Sequence, residues 1–356
     1  MSLDVREGVP LAPHTTLGLG GPARFFAEAA DEAAVVEAVR WASRRGVPLH
    51  PIGGGSNLVV ADRGVEGLVL RVALRGLAVA KGAGEAVLTV GAGEPWDGVV
   101  ARAVSEGLAG LECLSGIPGL AGATPIQNVG AYGQEVAETI RAVRAFDRRD
   151  LDVVELPPLA CGFAYRDSVF KRQPDRFVVL GVTFALRSGG TPALRYAELE
   201  QAMAARPEPP TLGRVRDEVL SLRRSKSMVI DPEDENRRSA GSFFTNPILA
   251  EVEAEAVVDR ALAAGLVTTR AEVPRWPAGQ GRTKLAAGWL IERAGIAKGL
   301  RRGTVGVSSR HALALVHHGG GSTAELLGLA REVREVVRAR FGVTLMPEPV
   351  LLGVGL

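Results

Sequence analysis

The chain has 356 residues, of which 46% are hydrophobic, enough to form cores for roughly two or three domains. Its formal net charge is only +2, and no basic run is interleaved with aromatic residues, so nucleic acid is not an expected partner. No stretch is apolar over the length of a bilayer span, and the N-terminus lacks a signal-peptide pattern. We therefore expect a cytoplasmic protein without a membrane segment.

The first predicted elements form a β-α-β unit that leads into a cluster of glycines. Residues 23–30 predict a strand, and Asp31 is placed to cap a helix that Gly46 ends. A second strand then runs into the sequence GGGSN, from Gly53 to Asn57. Such a cluster can present N–H groups to a phosphate, although it matches neither the P-loop nor the G-x-G-x-x-G pattern. A tight turn is the alternative interpretation.

The next elements lead to an uncharged stretch rich in glycine. Residues 67–76 and 86–93 predict strands, and Pro95 stands at the first turn of a helix that ends at Gly107. Residues 113–134 contain five glycines and two prolines, so they are neither helix nor strand throughout. Their apolar content is too high for a solvent loop. We interpret this stretch as a wall around a large, flat, partly anionic ligand, with an ordinary buried loop as the alternative.

The middle and the last third of the chain predict an α+β fold class with a boundary between domains. Strands are predicted at residues 139–147, 161–170 and 177–187, and helices at residues 191–203, 211–225, 250–265 and 284–295. The polar, proline-containing segment 225–241 predicts a domain boundary. Ser322 and Glu325 form a capping box that opens a long helix ending at Gly342.

The cysteines and histidines predict no metal site. Cys113 and Cys161 are far apart and form no metal or redox motif, which favours a reducing compartment and packing roles. His317 and His318 are adjacent, so they cannot face one metal as histidines four residues apart do. We expect structural roles for both histidines.

Six motifs follow one another along the chain: PIGGGSNLVV, LSGIPGLAGATPIQNVGAYG, CGFAYRDSVFK, AGSFFTNP, KLAAGWLIERAG and PEPVLLG. In this order they resemble the UDP-N-acetylenolpyruvoylglucosamine reductase family, and the resemblance covers nearly the whole chain. It implies reduction of UDP-N-acetylglucosamine-enolpyruvate to UDP-N-acetylmuramate in peptidoglycan precursor synthesis. The implied cofactor is FAD, bound non-covalently, and the implied reductant is NADPH.

The resemblance also implies a domain plan. It gives an FAD-binding domain of the vanillyl-alcohol oxidase/PCMH type, with subdomains at residues 1–75 and 76–228, and a C-terminal α+β substrate-binding domain at residues 229–356. The last residues are expected to return to the active site. The insertion at 187–225 resembles the longer of the family's two forms, in which a tyrosine loop closes over substrate. A monomer that binds only small molecules is expected.

The resemblance assigns catalytic roles to three residues. Arg166 would contact flavin and the substrate carboxylate, Ser242 would protonate carbon, and Glu348 would stabilise the enol intermediate. Positions that match FAD contacts are Ile52, Gly53, Gly54, Gly55, Ser56, Asn57, Leu58, Ser115, Gly116, Ile117, Pro118, Gly119, Gly122, Gln127, Asn128 and Gly130. Positions that match substrate or diphosphate contacts are Tyr132, Tyr196, Lys226, Asn246 and Lys284. Thr245 and Val350 depart from the family pattern, which has a lysine and, in some members, a basic residue there.

Each catalytic role has a structural alternative. Arg166 and Asp167 could form an ion pair, Ser242 could cap a turn, and Glu348 could be a solvated terminal residue. Two other functions are weighed against the reductase. A flavin oxidase often attaches its flavin through His or Cys, and neither glycine cluster contains a histidine. A non-catalytic nucleotide-sugar binding protein is disfavoured because all three catalytic matches are present.

Overall fold

The structure, a computed structural model, describes residues 3–205 and 208–356. The strands are β1 (Arg6–Pro10), β2 (Pro22–Ala29), β3 (Leu49–Ile52), β4 (Leu58–Val60), β5 (Val65–Val72), β6 (Leu77–Lys81), β7 (Glu85–Gly91), β8 (Leu108–Ala109), β9 (Gly130–Ala131), β10 (Gln134–Glu135), β11 (Ile140–Asp147), β12 (Asp152–Leu156), β13 (Phe177–Ser188), β14 (Ser239–Ser242), β15 (Ile248–Ala250), β16 (Arg275–Pro277), β17 (Arg282–Leu285), β18 (Arg301–Arg302), β19 (Val305–Val307), β20 (Ala314–His317) and β21 (Val350–Leu352). The α-helices are α1 (Glu32–Arg45), α2 (Trp96–Ser105), α3 (Pro158–Cys161), α4 (Val169–Arg172), α5 (Ala197–Ala204), α6 (Leu212–Ser225), α7 (Glu251–Ala263), α8 (Ala287–Arg293) and α9 (Thr323–Phe341).

The chain divides into two compact units, and each unit draws on separate parts of the sequence. The first consists of Met1–Val9, Pro22–Gly55 and Val65–Ile230, and the second of Pro10–Gly21, Ser56–Gly64 and Asp231–Leu356. The main segment of the second unit thus begins within the polar segment 225–241. Its two short N-terminal segments lie inside the range 1–75. The sequence did not predict that they belong to the second unit, because a local pattern does not reveal packing partners far along the chain.

The two larger sheets of the first unit share one core. The sheet of order β1-β2-β5-β3 pairs β5 in parallel with both β2 and β3. The second sheet, of order β12-β11-β13-β7-β6, is antiparallel, and β8 also pairs with β13. Leu68 of the first sheet and Phe184 of the second belong to one buried cluster. As predicted, Asp31 caps α1 by accepting the Ala34 N–H, and Gly46 ends that helix.

The second unit combines small sheets with the long helix α9. Strands β14-β20-β19-β18 and β15-β17-β16 form two sheets, and β21 pairs in parallel with β4. The predicted capping box is present, because the Ser322 hydroxyl accepts the Glu325 N–H, and Gly342 ends α9. The apolar face of α9 buries Leu326 and Val333 in the core of this unit. In residues 3–205 and 208–356, no helix is long and apolar enough to cross a membrane.

Three predicted segments differ from the structure. Residues 161–170 do not form a strand. They run from the last residue of α3 through a turn at 162–168 into the first residues of α4, and Arg166 in that turn has a left-handed backbone with φ 53°. Residues 284–295 begin as strand β17, and the helix starts only at Ala287. Likewise, residues 191–196 lie outside helix α5. The aromatic and β-branched residues of the first segment favour a strand locally, and the turn prevails over that preference.

Candidate active site

In the first unit, the two glycine clusters lie against each other. Strand β3 ends at Ile52, so the chain enters the first cluster at the end of a buried strand. A Cβ atom on Gly54 would lie 3.2 Å from the Cα of Gly119, and one on Gly53 would lie 3.8 Å from the Leu120 Cβ. Glycine at position 54 lets the two backbones approach closely, because a Cβ there would be crowded by Gly119. The structure therefore brings together two loops that the sequence separates by more than sixty residues.

The loop after Leu114 is fixed by a carboxylate and an arginine. Gly116 has a φ of 71°, and its N–H donates to Asp97 Oδ1 at 2.6 Å. Arg216 donates from Nη1 and Nη2 to the two oxygens of Asp97, both at 2.7 Å. Burial acts to raise the pKa of Asp97, but the bonds and charge of Arg216 and the Gly116 N–H hold that pKa below its usual value. No local sequence pattern marks this pair, because 119 positions separate its members.

Arg223 on α6 presents a buried donor beside the same loop. Its side chain is only 7% exposed, and Nη2 donates to the Met228 carbonyl oxygen at 2.7 Å. A Cβ on Gly116 would lie 3.4 Å from Arg223 Nε. Within the described ranges, that Nε has no hydrogen-bond partner. Burial lowers the pKa of Arg223. A buried donor of this kind needs an acceptor, which a ligand or a bound water can supply.

Two predicted cofactor contacts use their side chains inside the protein. The Ser115 hydroxyl donates to the Glu112 carbonyl oxygen at 2.7 Å. The Asn128 amide donates to Glu135 Oε2 at 2.7 Å and to the Ala164 carbonyl oxygen at 3.0 Å. These side chains shape the loop, so a ligand would meet them through the backbone. The other predicted contacts in this loop are buried or half-buried: Ile117, Pro118, Gly122, Gln127 and Gly130.

Arg166 points its guanidinium at the glycine-rich loop. Its Nη2 donates to the Gly130 carbonyl oxygen at 2.6 Å, and its Nη1 to the Asn128 carbonyl oxygen at 3.4 Å. The neighbouring carboxylate of Asp167 pairs with Arg172. A left-handed arginine backbone is uncommon and marks a constrained position. Arg166 is therefore held at the loop wall by its own turn and by two carbonyls.

Three of the predicted substrate contacts form a cluster in the first unit. The rings of Tyr132 and Tyr196 pack edge to face with centroids 5.6 Å apart. Lys226 Nζ lies 5.9 Å from the Tyr132 ring centroid and 2.5 Å from Glu198 Oε2. Burial raises the pKa of Tyr132 to about 12. Burial and the Glu198 charge also raise the pKa of Tyr196. Both hydroxyls thus remain protonated donors at neutral pH.

In the second unit, two predicted catalytic residues lie on adjacent backbone segments. Ser242 ends strand β14, and the next residue, Phe243, accepts the Glu348 N–H at 2.9 Å. Asn57 Nδ2 donates to the Glu348 carbonyl oxygen at 3.3 Å. Immediately after Asn57, β4 begins at Leu58 and pairs with β21. The last residues of the chain therefore run beside the second half of the first glycine cluster, Ser56 to Leu58.

Of the two remaining predicted substrate contacts, Lys284 lies in strand β17 and Asn246 lies just before strand β15, which pairs with β17. Asn246 Oδ1 accepts the Ala287 N–H at 2.9 Å, at the first residue of α8. Lys284 pairs with Trp276 across β16 and β17, and its Nζ lies 5.7 Å from the indole centroid. The Oδ1 atom of Asn246 therefore has a structural role at the start of α8. Lys284 is half-buried beside the Trp276 indole, and Trp276 is 45% exposed.

Both cysteines and His317 are buried. Cys113 and Cys161 are free and buried, and burial raises their pKa values to about 12 and about 11. His317 is buried, its Nδ1 lies 3.0 Å from the Leu17 carbonyl oxygen, and its Nε2 accepts the Gly321 N–H at 3.0 Å. In the part of the chain that the structure describes, no cluster of His, Cys, Asp and Glu is arranged to hold a metal ion.

Comparison with known proteins identifies the family. A model described as UDP-N-acetylenolpyruvoylglucosamine reductase, C-terminal domain, matches residues 231–352, and one described as FAD binding domain matches residues 23–156. The UDP-N-acetylenolpyruvoylglucosamine reductase of Thermobifida fusca is 50% identical over 359 residues, with all of both chains covered. The chain belongs to the UDP-N-acetylenolpyruvoylglucosamine reductase family.

Further relatives support this placement over the whole length. The reductase of Streptomyces coelicolor is 50% identical over 350 residues, covering 98% of this chain and 90% of that one. The crystal structure of the enzyme from Thermus caldophilus superposes with a TM-score of 0.66 at 26% identity and covers 98% of both chains. These matches confirm the predicted family and the predicted fold class.

Membership of this family makes the chain an FAD-dependent oxidoreductase of peptidoglycan precursor synthesis, as predicted. The residues present fit FAD. Gly54 and Gly119 form a backbone cradle that a Cβ would crowd, and Arg223 offers a buried donor that lacks an acceptor. Both features suit a ligand with phosphate and carbonyl oxygens.

Proposed function

We propose that this chain reduces the enolpyruvyl group of UDP-N-acetylglucosamine-enolpyruvate to give UDP-N-acetylmuramate, with NADPH as the reductant. The observation that carries the proposal is the placement of Ser242 and Glu348. These residues are more than one hundred positions apart, yet the Glu348 N–H donates to the residue that follows Ser242. The Ser242 hydroxyl can protonate carbon, and the Glu348 carboxyl group can stabilise the enolate. Their placement on adjacent segments suits a reaction that needs both steps.

We assign FAD to the two glycine loops of the first unit. The predicted contacts Ser56, Asn57 and Leu58 belong to the second unit and stay predictions. When bound, FAD would be reduced by NADPH and would then supply the hydride that reduces the enol ether. The donors that we assign to its oxygens are the N–H groups of these loops and the buried Nε of Arg223. In domain terms, residues 1–75 and 76–228 would be FAD-binding subdomains, and residues 229–356 the substrate-binding domain.

Arg166 is the residue that we assign to the substrate carboxylate. The reaction places negative charge on C2, delocalised into the carboxylate, so a fixed positive charge there stabilises the transition state more than the ground state. The guanidinium is planar and permanently charged, and it can offer two parallel N–H groups. Its bonds to Gly130 and Asn128 orient that fork without neutralising its charge.

Ser242 and Glu348 are the groups that we assign to proton delivery and to the developing enolate. The Ser242 hydroxyl gives its proton to C2, which is possible for so weak an acid because the enolate is strongly basic. Glu348 would act in its protonated form as a hydrogen-bond donor to the same charge. Its position between Pro347 and Pro349 keeps the local backbone stiff.

The substrate-binding roles fall to Tyr132, Tyr196, Lys226, Asn246 and Lys284. Lys226 and Lys284 provide the positive charge that a diphosphate needs, and the tyrosine hydroxyls provide neutral donors. The insertion that carries Tyr196 corresponds to the longer tyrosine-loop form of the family. Tyr196 is 43% exposed, which suits a residue that closes over a bound substrate.

The two departures from the family pattern lie next to Ser242 and Glu348 in the chain. The Thr245 hydroxyl donates to the Met346 carbonyl oxygen at 3.4 Å, so it joins the two segments that carry these residues. Val350 is 50% exposed and begins β21. Neither side chain carries charge, so we assign the recognition of substrate anions to Arg166, Lys226 and Lys284. We further propose that the protein works as a cytoplasmic monomer.

Product formation tests the proposed function. Purified protein is mixed with NADPH and the UDP-linked enolpyruvyl sugar, and the products are analysed by mass spectrometry. We expect NADPH to be consumed in proportion to a product two hydrogens heavier than the substrate. UDP-N-acetylglucosamine, which lacks the enolpyruvyl group, is the matched control and should give no consumption. Hydrogen peroxide in place of the reduced sugar would favour the oxidase alternative instead.

A further inference from the structure

The first turn of α2 holds the loop 114–119 at three points. Trp96 Nε1 donates to the Leu114 carbonyl oxygen at 3.2 Å, and the Trp96 N–H donates to the Gly119 carbonyl oxygen at 3.0 Å. Between these points, Asp97 Oδ1 accepts the Gly116 N–H at 2.6 Å. Trp96 is buried in the core, so its contacts belong to the fold itself. Of these three hydrogen bonds, the one to Asp97 is the one that uses a side-chain carboxylate.

The same carboxylate ties the loop to helix α6. Both oxygens of Asp97 accept bonds from Arg216, whose side chain is 16% exposed, against 41% for Asp97. Helix α6 also carries Arg223, whose unpaired Nε faces Gly116, and Lys226 follows the helix directly. A bidentate arginine–carboxylate pair is stronger and better oriented than a single ion pair. The Asp97 carboxylate therefore connects the glycine loop with helix α6, which carries the proposed ligand donor Arg223.

We infer that Asp97 is a positioning residue for the FAD-binding loop, acting through Gly116 and Arg216. This inference rests on the proposed role of residues 115–119 in holding FAD. With its acceptor removed, the Gly116 peptide can rotate, because a glycine with φ 71° has no side chain to hold that conformation. The contacts of Trp96 would remain. The loop would therefore stay in place but lose its preset shape, and FAD would bind a less preorganised site.

FAD release from the holoenzyme tests this inference. The holoenzyme is diluted, and the rise in flavin fluorescence gives the dissociation constant of FAD. Asp97→Ala should weaken FAD binding by about 10- to 100-fold, the range for losing a hydrogen bond to a charged group. Arg216→Ala keeps the acceptor for Gly116 and should weaken binding less. The double variant should match Asp97→Ala, because Arg216 acts through Asp97.

Two controls separate positioning from a general loss of stability. Glu32→Gln breaks another bidentate pair in the same unit, with Arg144 at 2.6 and 2.9 Å, and should leave FAD release unchanged. The thermal unfolding temperature of the FAD-free protein should be lowered less by Glu32→Gln than by Asp97→Ala, because the Glu32–Arg144 pair is more exposed. FAD-free Asp97→Ala should still unfold in one cooperative transition above the assay temperature. FAD release from Asp97→Ala within about twofold of the unaltered protein would overturn the inference, as would an equal effect of Glu32→Gln. Failure of the unaltered protein to bind FAD would instead refute the proposed function.

Discussion

At the scale of single residues, the proposed chemistry depends on a proton from the Ser242 hydroxyl. Reduction of the flavin by NADPH needs no proton delivered to carbon, whereas reduction of the enolpyruvyl group does. Ser242→Ala should therefore spare the first half-reaction and slow the second by about 10²–10⁴-fold. Stopped-flow absorbance follows flavin bleaching by NADPH and its recolouring by substrate separately.

Cysteine at position 242 provides the matched variant for that experiment. It has nearly the shape of serine and is a stronger acid, so Ser242→Cys should recover part of the lost rate. If Ser242→Ala slows bleaching as much as recolouring, or slows neither, the proton comes from another group and the Ser242 hydroxyl has a structural role.

Arg166 gives a second residue-scale prediction. Arg166→Lys keeps the positive charge but loses the planar fork, and one ammonium cannot offer two parallel N–H groups to a carboxylate. We expect turnover to fall severely while the visible flavin spectrum is retained. Arg144→Lys is the matched control, because Arg144 also forms a bidentate pair, with Glu32, on the exposed surface of the same unit, and turnover of this variant should not change. Unchanged turnover of a flavin-loaded Arg166→Lys variant would remove Arg166 from the catalytic set.

The pKa of Tyr132 gives a prediction about alkaline pH. Burial raises this pKa to about 12, above its ordinary value of 10, so the unfolded chain releases the proton first. Tyr132 therefore stabilises the fold fully below about pH 10, and that contribution is lost as the pH rises towards 12. Tyrosinate absorbance should show a late component that Tyr132→Phe removes. Removal of an early component instead would mean that Tyr132 is not buried in solution.

The sequence motifs were sufficient to predict the catalytic residues, but they did not predict every residue of the site. Arg166, Ser242 and Glu348 stand in sequences similar to a known family, so resemblance was sufficient to select them. Asp97 and Arg223 have no such local signal. Their importance lies in contacts with Gly116, and only the folded chain shows those contacts.

At the scale of secondary structure, end signals made helices easier to predict than strands. Asp31 and Gly46 bound α1, and Ser322 and Gly342 bound α9, because caps are local side-chain chemistry. Short strands such as those at 77–81 and 152–156 were missed, since they depend on a partner strand. The turn at Arg166 was misassigned for a related reason, as its left-handed backbone is imposed by surrounding contacts.

The contact between the two glycine loops gives a prediction at this scale. Gly54→Ala would bring a Cβ to 3.2 Å from the Gly119 Cα, so the facing loop must shift slightly and FAD binding should weaken. Gly98→Ala is the matched control, because the space around Gly98 in α2 is open. That change should leave FAD binding unaltered and stabilise the protein by about 0.5–1 kcal/mol. Urea unfolding and flavin fluorescence measure the two effects. Equal FAD affinity in both variants would contradict the proposed cradle.

At the scale of the whole molecule, the family resemblance of the ordered motifs correctly implied an α+β flavoprotein, but not how the chain is shared between its compact units. Residues 10–21 and 56–64 belong to the second unit although they lie among segments of the first. No periodicity in the sequence marks that exchange. It depends on long-range contacts such as the pairing of β4 with β21, whose sequence separation is nearly three hundred residues.

The central claim is that this chain passes electrons from NADPH through bound FAD to the enolpyruvyl sugar. An anaerobic titration followed by visible absorbance tests it most directly. The purified protein should be yellow, one equivalent of NADPH should bleach the flavin, and one equivalent of the UDP-linked enolpyruvyl sugar should restore the colour without oxygen. Heat or acid should then release free FAD. A protein without flavin, or a bleached flavin that only oxygen and not the sugar recolours, would contradict the account.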